Sequence, residues 1–219
     1  PRTGNYDAVT MEHAMQSNKG IERSSHHHST LLPVDTALPG LALLGDTAAI
    51  IEIARQARIG HVLDGSLVHI RYKPGTNCVT TYRMVVVTAD GDGMEYRWLF
   101  AKCYSTGDFA EASNKARTKW CAKSQVGSLP IIIDDVRCII FDLSHDDDLP
   151  GLTTVLDSRK LARKLYDAYP EYDRRIYRIS DSRMKVRTIR FKPEKRAVFR
   201  IETRVTNQGE SKDKHQLRL

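Results

Sequence analysis

The chain has 219 residues, 41% of them apolar, which supplies core for one large domain or two small ones. Its 34 Lys and Arg exceed its 27 Asp and Glu, for a net charge of +7 and a pI near 9.3. No run approaches the eighteen or so apolar residues of a membrane span, and Cys78, Cys103, Cys121 and Cys138 are widely spaced with no CxxC pair. Membrane partners, a disulfide framework and a zinc site are thereby disfavoured, and a cytoplasmic globular protein is expected.

Pro1 to about Pro39 is rich in Ser, Thr, Asn, His and Gly, shows no periodicity, and reads as a mobile leader over residues 1–40. Its His26-His27-His28 tract has no cysteine or carboxylate at ligand spacing, so no metal site is assigned. Asp46 then caps an amphipathic helix, with Ile50, Ile53, Ala54 and Ala57 on one face, that ends at Gly60. Three strand-like runs follow, Ser66 to Tyr72, Cys78 to Thr88 and Met94 to Tyr104. The turns between them are Lys73 to Asn77 and Ala89 to Gly93. Asp108 caps a second helix to about Lys123, with Phe109, Ala112, Ala116 and Trp120 in an apolar stripe. Ile131 to Ile133 and Arg137 to Leu143 complete a β-β-β-α-β-β order.

The acidic, Pro/Gly-broken stretch Ser144 to Leu152 reads as a linker, and adjacent acids such as Asp146-Asp147-Asp148 read as solvated rather than as magnesium ligands. Ser158 caps a third helix to about Tyr169, stopped by Pro170, and strands resume at Met184 to Phe191 and Ala197 to Val205. The expected fold is α+β. It comprises the leader, a module over residues 41–157 in which an antiparallel sheet carries a packed helix, a helical linker over 158–183, and the first strands of a second such module over 184–219.

That second module is inferred from an internal repeat. His69 to Arg83 is echoed by Thr188 to Glu202 at an offset of 119 residues, with Ile70/Ile189, Arg71/Arg190, Lys73/Lys192, Pro74/Pro193 and Val79/Val198 identical. Each copy places an aromatic at a strand end (Tyr72, Phe191), then a Lys-Pro turn, then another strand.

The order of three strands, helix, two strands and acidic linker resembles the N-terminal lobe of the kinase-like fold. The strings Arg-Tyr-Lys-Pro-Gly-Thr-Asn-Cys and Phe-Lys-Pro-Glu-Lys-Arg-Ala-Val, with Asp-Leu-Pro-Gly-Leu between them, are similar to those of bacterial phosphotransferase enzyme family proteins. These are relatives of aminoglycoside phosphotransferases and maltokinases. The resemblance implies an ATP-dependent transfer of a phosphoryl group to a hydroxyl of a small molecule, with ATP and Mg expected for the complete protein. It places nucleotide contacts at Lys73, Gly75 and Thr76 in the covering turn and at Lys102 on the third strand. Glu111 is the available helix glutamate, and Lys192 and Arg196 flank the equivalent turn of the second copy. Phe141-Asp142-Leu143 takes the place of the adenine-holding hinge.

Two departures accompany the resemblance. Glu111 lies nine residues past Lys102, in the first turn of its helix, and the covering turn has one glycine where a phosphate-cradling loop uses several. The first copy therefore reads as a degenerate cap and the second as the working lobe. The offset puts the counterpart of Lys102 two residues past Leu219, and the family's His-Gly-Asp loop is absent, so no catalytic residue is expected in this chain. The competing reading is a non-catalytic module whose basic C-terminal hairpin binds nucleic acid or a protein partner. Only Phe191 and Phe199 are there to stack on bases.

Overall fold

The computed structural model describes residues 32–57, 59–88, 91, 93–120 and 129–207, together with the backbone of 214–218. The leader up to residue 31 with its histidines, Cys121, the end of the second predicted helix and the loop at 208–213 lie outside the described residues.

Helices α1 (Leu41–Gly45) and α2 (Thr47–Gln56) lead into β1 (Val62–Lys73), β2 (Asn77–Val87) and β3 (Met94–Tyr104). Asp46 caps α2 by accepting from the Ala49 N–H at 3.0 Å, satisfying one of the donors that a helix start leaves open. Arg55 in its last turn donates to the carbonyls of Val62 (3.1 Å) and Leu63 (3.3 Å), which fixes the helix end against β1. Helix α3 (Thr106–Lys119) carries the chain to β4 (Ile131–Ile133) and β5 (Cys138–Asp142). Ser105, not Asp108, occupies its cap position, and the Asp108 carboxylate instead accepts from the Ser105 hydroxyl at 2.9 Å. The five strands form one antiparallel sheet in the order β1-β2-β3-β5-β4.

Both faces of this sheet are covered, which is why β3 is buried without interruption from Trp98 to Ala101 rather than alternating. On one face Cys78, Tyr82, Met84, Leu99 and Cys103 pack on Leu41, Leu44, Ile50 and Ala54, and the buried Tyr82 hydroxyl donates to the Leu44 carbonyl at 2.6 Å. On the other, Trp98, Phe100, Tyr104 and Phe141 meet Phe109 and Ala116 of α3. Each such side chain removed from water stabilises the fold by about 1.5–3 kcal/mol.

The remaining elements are α4 (Leu152–Val155), α5 (Ser158–Ala168), β6 (Tyr177–Ile179), β7 (Lys185–Lys192), β8 (Arg196–Asn207) and β9 (Lys214–Arg218). Asp157 caps α5, its carboxylate accepting from the N–H groups of Arg159 and Lys160 at 3.1 Å each, one position before the serine expected from sequence. Val205 pairs with both Ile179 and His215, and Glu202 with both Lys185 and Arg218, so β9 flanks β8 on the edge opposite β6 and β7. The second sheet thus has four strands where the sequence indicates an unfinished hairpin. Leu161, Ala162 and Leu165 of α5 cover it over Ile179 and Val205.

The repeat extends beyond the hairpins. Asp35-Thr-Ala-Leu-Pro-Gly-Leu41 recurs as Asp146-Asp-Asp-Leu-Pro-Gly-Leu152, and the helix caps Asp46 and Asp157 share the same offset of 111 residues. The backbone bonds match: Leu38, Leu41 and Leu44 donate to Asp35, Leu38 and Gly40, as Leu149, Leu152 and Val155 donate to Asp146, Leu149 and Gly151. The eight-residue difference between the offsets (119 − 111) is taken up between α5 and β7, where β6 lies. The stretch from Asp146 is therefore the start of the second copy and not a linker, and the last residues of the expected leader, from Asp35, belong to the first copy.

Candidate functional site

Each copy fixes its Lys-Pro turn with the aspartate that opens the copy. In the first, Asp35 Oδ2 accepts from the Gly75 N–H at 2.8 Å and from the Tyr72 hydroxyl at 2.9 Å, while Oδ1 accepts from the Ala37 N–H at 3.0 Å. Those bonds, the Gly75 N–H foremost, hold the Asp35 carboxyl below its ordinary range. In the second copy, Asp146 Oδ2 accepts from the Glu194 N–H at 2.8 Å and Oδ1 from the Asp148 N–H at 3.2 Å. Asp146 is buried, and that burial raises its pKa against the pull of the two N–H groups. Gly75 and Glu194 are equivalent residues, and both adopt the left-handed conformation, with φ of +67° and +61°. Glycine enters it freely, whereas a glutamate there is uncommon.

The glutamate side chain crosses to the first sheet. Arg71, Val79, Lys102 and Ile139 stand abreast on β1, β2, β3 and β5. Above that row, Arg71 Nη2 donates to Glu194 Oε2 and Lys102 Nζ donates to Oε1. The three side chains are 20–23% exposed. Burial alone would raise the pKa of Glu194, but the hydrogen bonds from Arg71 and then Lys102 outweigh it and hold the carboxyl below its usual value. Arg71 Nε is buried and has no acceptor among the described residues. Beneath the turn, Phe191 inserts its ring edge-on to Trp98 and Phe100, with centroids 6.5 and 5.8 Å away. Phe191 and Glu194 thus clasp the second copy to the first, beside Leu149 and Leu152 in the same apolar cluster.

Beside the clasp lies a cleft of about 230 Å³, lined among others by Lys102, Glu111, Lys115, Trp120, His145 and Asp148. Ligand pockets usually enclose about 300–1,000 Å³, so only a small group fits. Lys102 and Glu111 share this cleft, yet the carboxylate that meets Lys102 is Glu194. Lys73, Gly75 and Thr76 sit in the exposed β1–β2 turn and do not line it, and Thr76 Oγ1 donates to the Pro74 carbonyl at 3.3 Å. Lys192 and Arg196 are paired in register at the base of the second turn, also away from the cleft. Asp147 pairs with Lys115 at 3.2 Å and Lys119 at 2.5 Å.

Cys78, Cys103 and Cys138 also stand abreast on neighbouring strands, buried and unlinked by disulfide. Burial pushes the Cys78 thiol up to about 12, which removes it from nucleophilic chemistry. Among the described residues no group of three or more His, Cys, Asp and Glu side chains is placed to hold a metal ion, and no helix is long and apolar enough to cross a membrane.

Sequence reasoning missed Arg71, Glu194, Asp35 and Asp146. The offset of 119 residues that relates the turns sets Glu194 at a glycine position, and the Asp-x-x-Leu-Pro-Gly-Leu strings would have marked both aspartates. Comparison with protein-family models, curated proteins and solved structures finds no match to this chain.

Proposed function

We propose that the chain is the front end of an ATP-dependent phosphotransferase acting on a hydroxyl of a small molecule, with the first copy serving as a cap. The observation that carries this reading is the position of Lys102. It lies on the third strand of a β-β-β-α-β-β sheet, on the face covered by the following helix, and a third-strand lysine that pairs with ATP phosphates is a recurring part of protein kinases. Here that lysine is already neutralised by Glu194, so the first copy is closed to nucleotide. The second sheet, with an open and basic outer face, is the copy left to cover phosphates. ATP and magnesium would be held together with parts outside these residues, as would the acceptor and the catalytic loop.

Titration of the chain with Mg-ATP tests the cap assignment: no binding is expected in the micromolar range. Tight magnesium-dependent binding lost on Lys102→Ala would return nucleotide binding to the first copy. The coding sequence beyond Leu219 tests the class. A His-Gly-Asp string within roughly one domain length supports it, and a stop codon there refutes it.

One observation favours a second reading, nucleic-acid binding. Arg187 and Arg200 face each other across β7 and β8 with Lys185, Arg190 and Arg196 exposed nearby, and no carboxylate among the described residues forms an ion pair with these five. Directly opposed like charges destabilise a strand pair and suit an anionic partner. Among the described residues only Val198 and Ile189 are large apolar groups exposed there and neither can stack on a base, so any such binding is expected to be sequence-blind and to collapse with salt.

A further inference from the structure

We infer that Arg71 and Lys102 form an oxyanion site on the first sheet, suited to a single phosphoryl group, and that Glu194 is its intramolecular occupant. The proposal rests on the phosphotransferase reading only for the choice of phosphate over other oxyanions. Two cations converge above Val79 from strands on either side of it, a placement that repels unless an anion lies between them. The carboxylate does not use all that they offer. It takes one N–H of Arg71 and one of Lys102, and leaves Arg71 Nε buried with no acceptor among the described residues. A tetrahedral phosphate has oxygens enough to meet Nε and Nη2 together in the paired geometry guanidinium favours, and to meet Lys102 as well.

The occupant is held as a removable part. Its backbone conformation, φ +61°, is one that the first copy assigns to glycine, and an outlier retained at such a position points to a task for the side chain. The turn does not depend on that side chain, because Asp146 grips the Glu194 N–H just as Asp35 grips that of Gly75. The adjoining cleft gives a path for a small ligand to Lys102. Its carboxylates, Asp146, Asp148 and Glu111 among them, repel an anion more strongly the more charge it carries, so a polyphosphate is disfavoured relative to inorganic phosphate or a monoester.

The test uses Glu194→Gly, which installs the residue of the first copy in its own preferred conformation. Inorganic phosphate is titrated by calorimetry into the natural chain, into Glu194→Gly, and into Glu194→Gly combined with Arg71→Met, with Mg-ATP titrated in parallel and folding followed by thermal melts. The expected result is phosphate binding at least about tenfold tighter in Glu194→Gly than in the natural chain, lost again in the double variant. Should Glu194→Gly unfold, Glu194→Gln is used, whose neutral amide releases the two cations only in part and should give a smaller gain of the same sign. A folded variant that binds phosphate no better than the natural chain overturns the proposal, as does a gain that survives Arg71→Met. Phosphate binding without Mg-ATP binding supports the site whatever becomes of the phosphotransferase reading.

Discussion

Gly40 and Gly151 occupy the same place in the two Leu-Pro-Gly-Leu strings, and alanine is expected to act differently at each. A methyl group at Gly40 would stand 2.1 Å from Cys138 Sγ, 2.6 Å from the Val136 carbonyl oxygen and 2.9 Å from Cys103 Sγ. Comfortable contacts are about 3.5–4.0 Å, so α1 would have to move off the sheet by about 1.5 Å. The two sulfurs cannot give way easily, since Cys103 and Cys138 are paired in register inside a sheet covered on both faces. The backbone at Gly40 (φ −81°, ψ 0°) admits alanine, so the whole cost is steric. Overpacking of this kind costs about 1–3 kcal/mol, and the upper half of that range applies here. For a chain of this size about 1 kcal/mol shifts Tm by roughly 2–4 °C, which predicts a fall of about 5–10 °C for Gly40→Ala. Gly151 has nothing within 4 Å of the added carbon. Its φ of −69° and ψ of −18° are helical, so Gly151→Ala should change stability by no more than about 0.5 kcal/mol. Paired calorimetric melts in one buffer decide the matter. Equal shifts for the two variants, or a Gly40→Ala shift under about 1 °C, would refute the packing argument.

Phe191 is almost fully buried between the copies, so Phe191→Ala should cost about 3–5 kcal/mol in urea unfolding. It should also red-shift tryptophan emission as Trp98 gains water. The Glu194 clasp makes stability depend on pH with a definite sign. Its folded pKa lies below the ordinary 4.5, so its contribution is complete above the unfolded value and is lost as pH falls through the folded one. Asp146, raised by burial, contributes oppositely, favouring the fold in acid and losing that contribution as pH rises through its folded pKa. The stability difference between the natural chain and Glu194→Gln isolates the clasp, and it should be largest near pH 7 and shrink below about pH 4.5. A difference that does not change with pH would show that Arg71 and Lys102 do not bind the ionised form.

Strands and helices were legible wherever one residue pattern decided the outcome. Met94–Tyr104 and Ile131–Ile133 fall where the apolar runs end, and the Asp46 cap is where a short acceptor before an apolar period predicts it. Strand β6 was not legible, because three residues pairing only with the far end of β8 carry no period of their own. The loop from Ser144 was misleading, since acids and a Pro-Gly break look the same whether solvated or, as at Asp146, buried and accepting backbone N–H groups. Lys102 was legible as a lone cation on a strand, but its partner was not. Glu194 is ninety-two residues further on, and no local spacing rule reaches across two copies of a repeat.

What separates the copies is as informative as what they share. Tyr72 donates its hydroxyl to Asp35, whereas Phe191 has none and is instead buried against Trp98 and Phe100 of the other sheet. A side chain at Gly75 would meet nothing within 4 Å, while Glu194 in the same backbone conformation reaches two cations. Both changes lie at or beside the turn that touches the first sheet, and both replace a locally satisfied residue by one that needs a partner from the other copy. The matching positions of the second sheet are uncovered among the described residues: Arg190 and Val198 correspond to Arg71 and Val79, and Val198 is 46% exposed where Val79 is 1%. The differences between the two turns thus make the repeated units an ordered pair, in which the second copy covers the first sheet while, among the described residues, the basic face of the second sheet stays exposed.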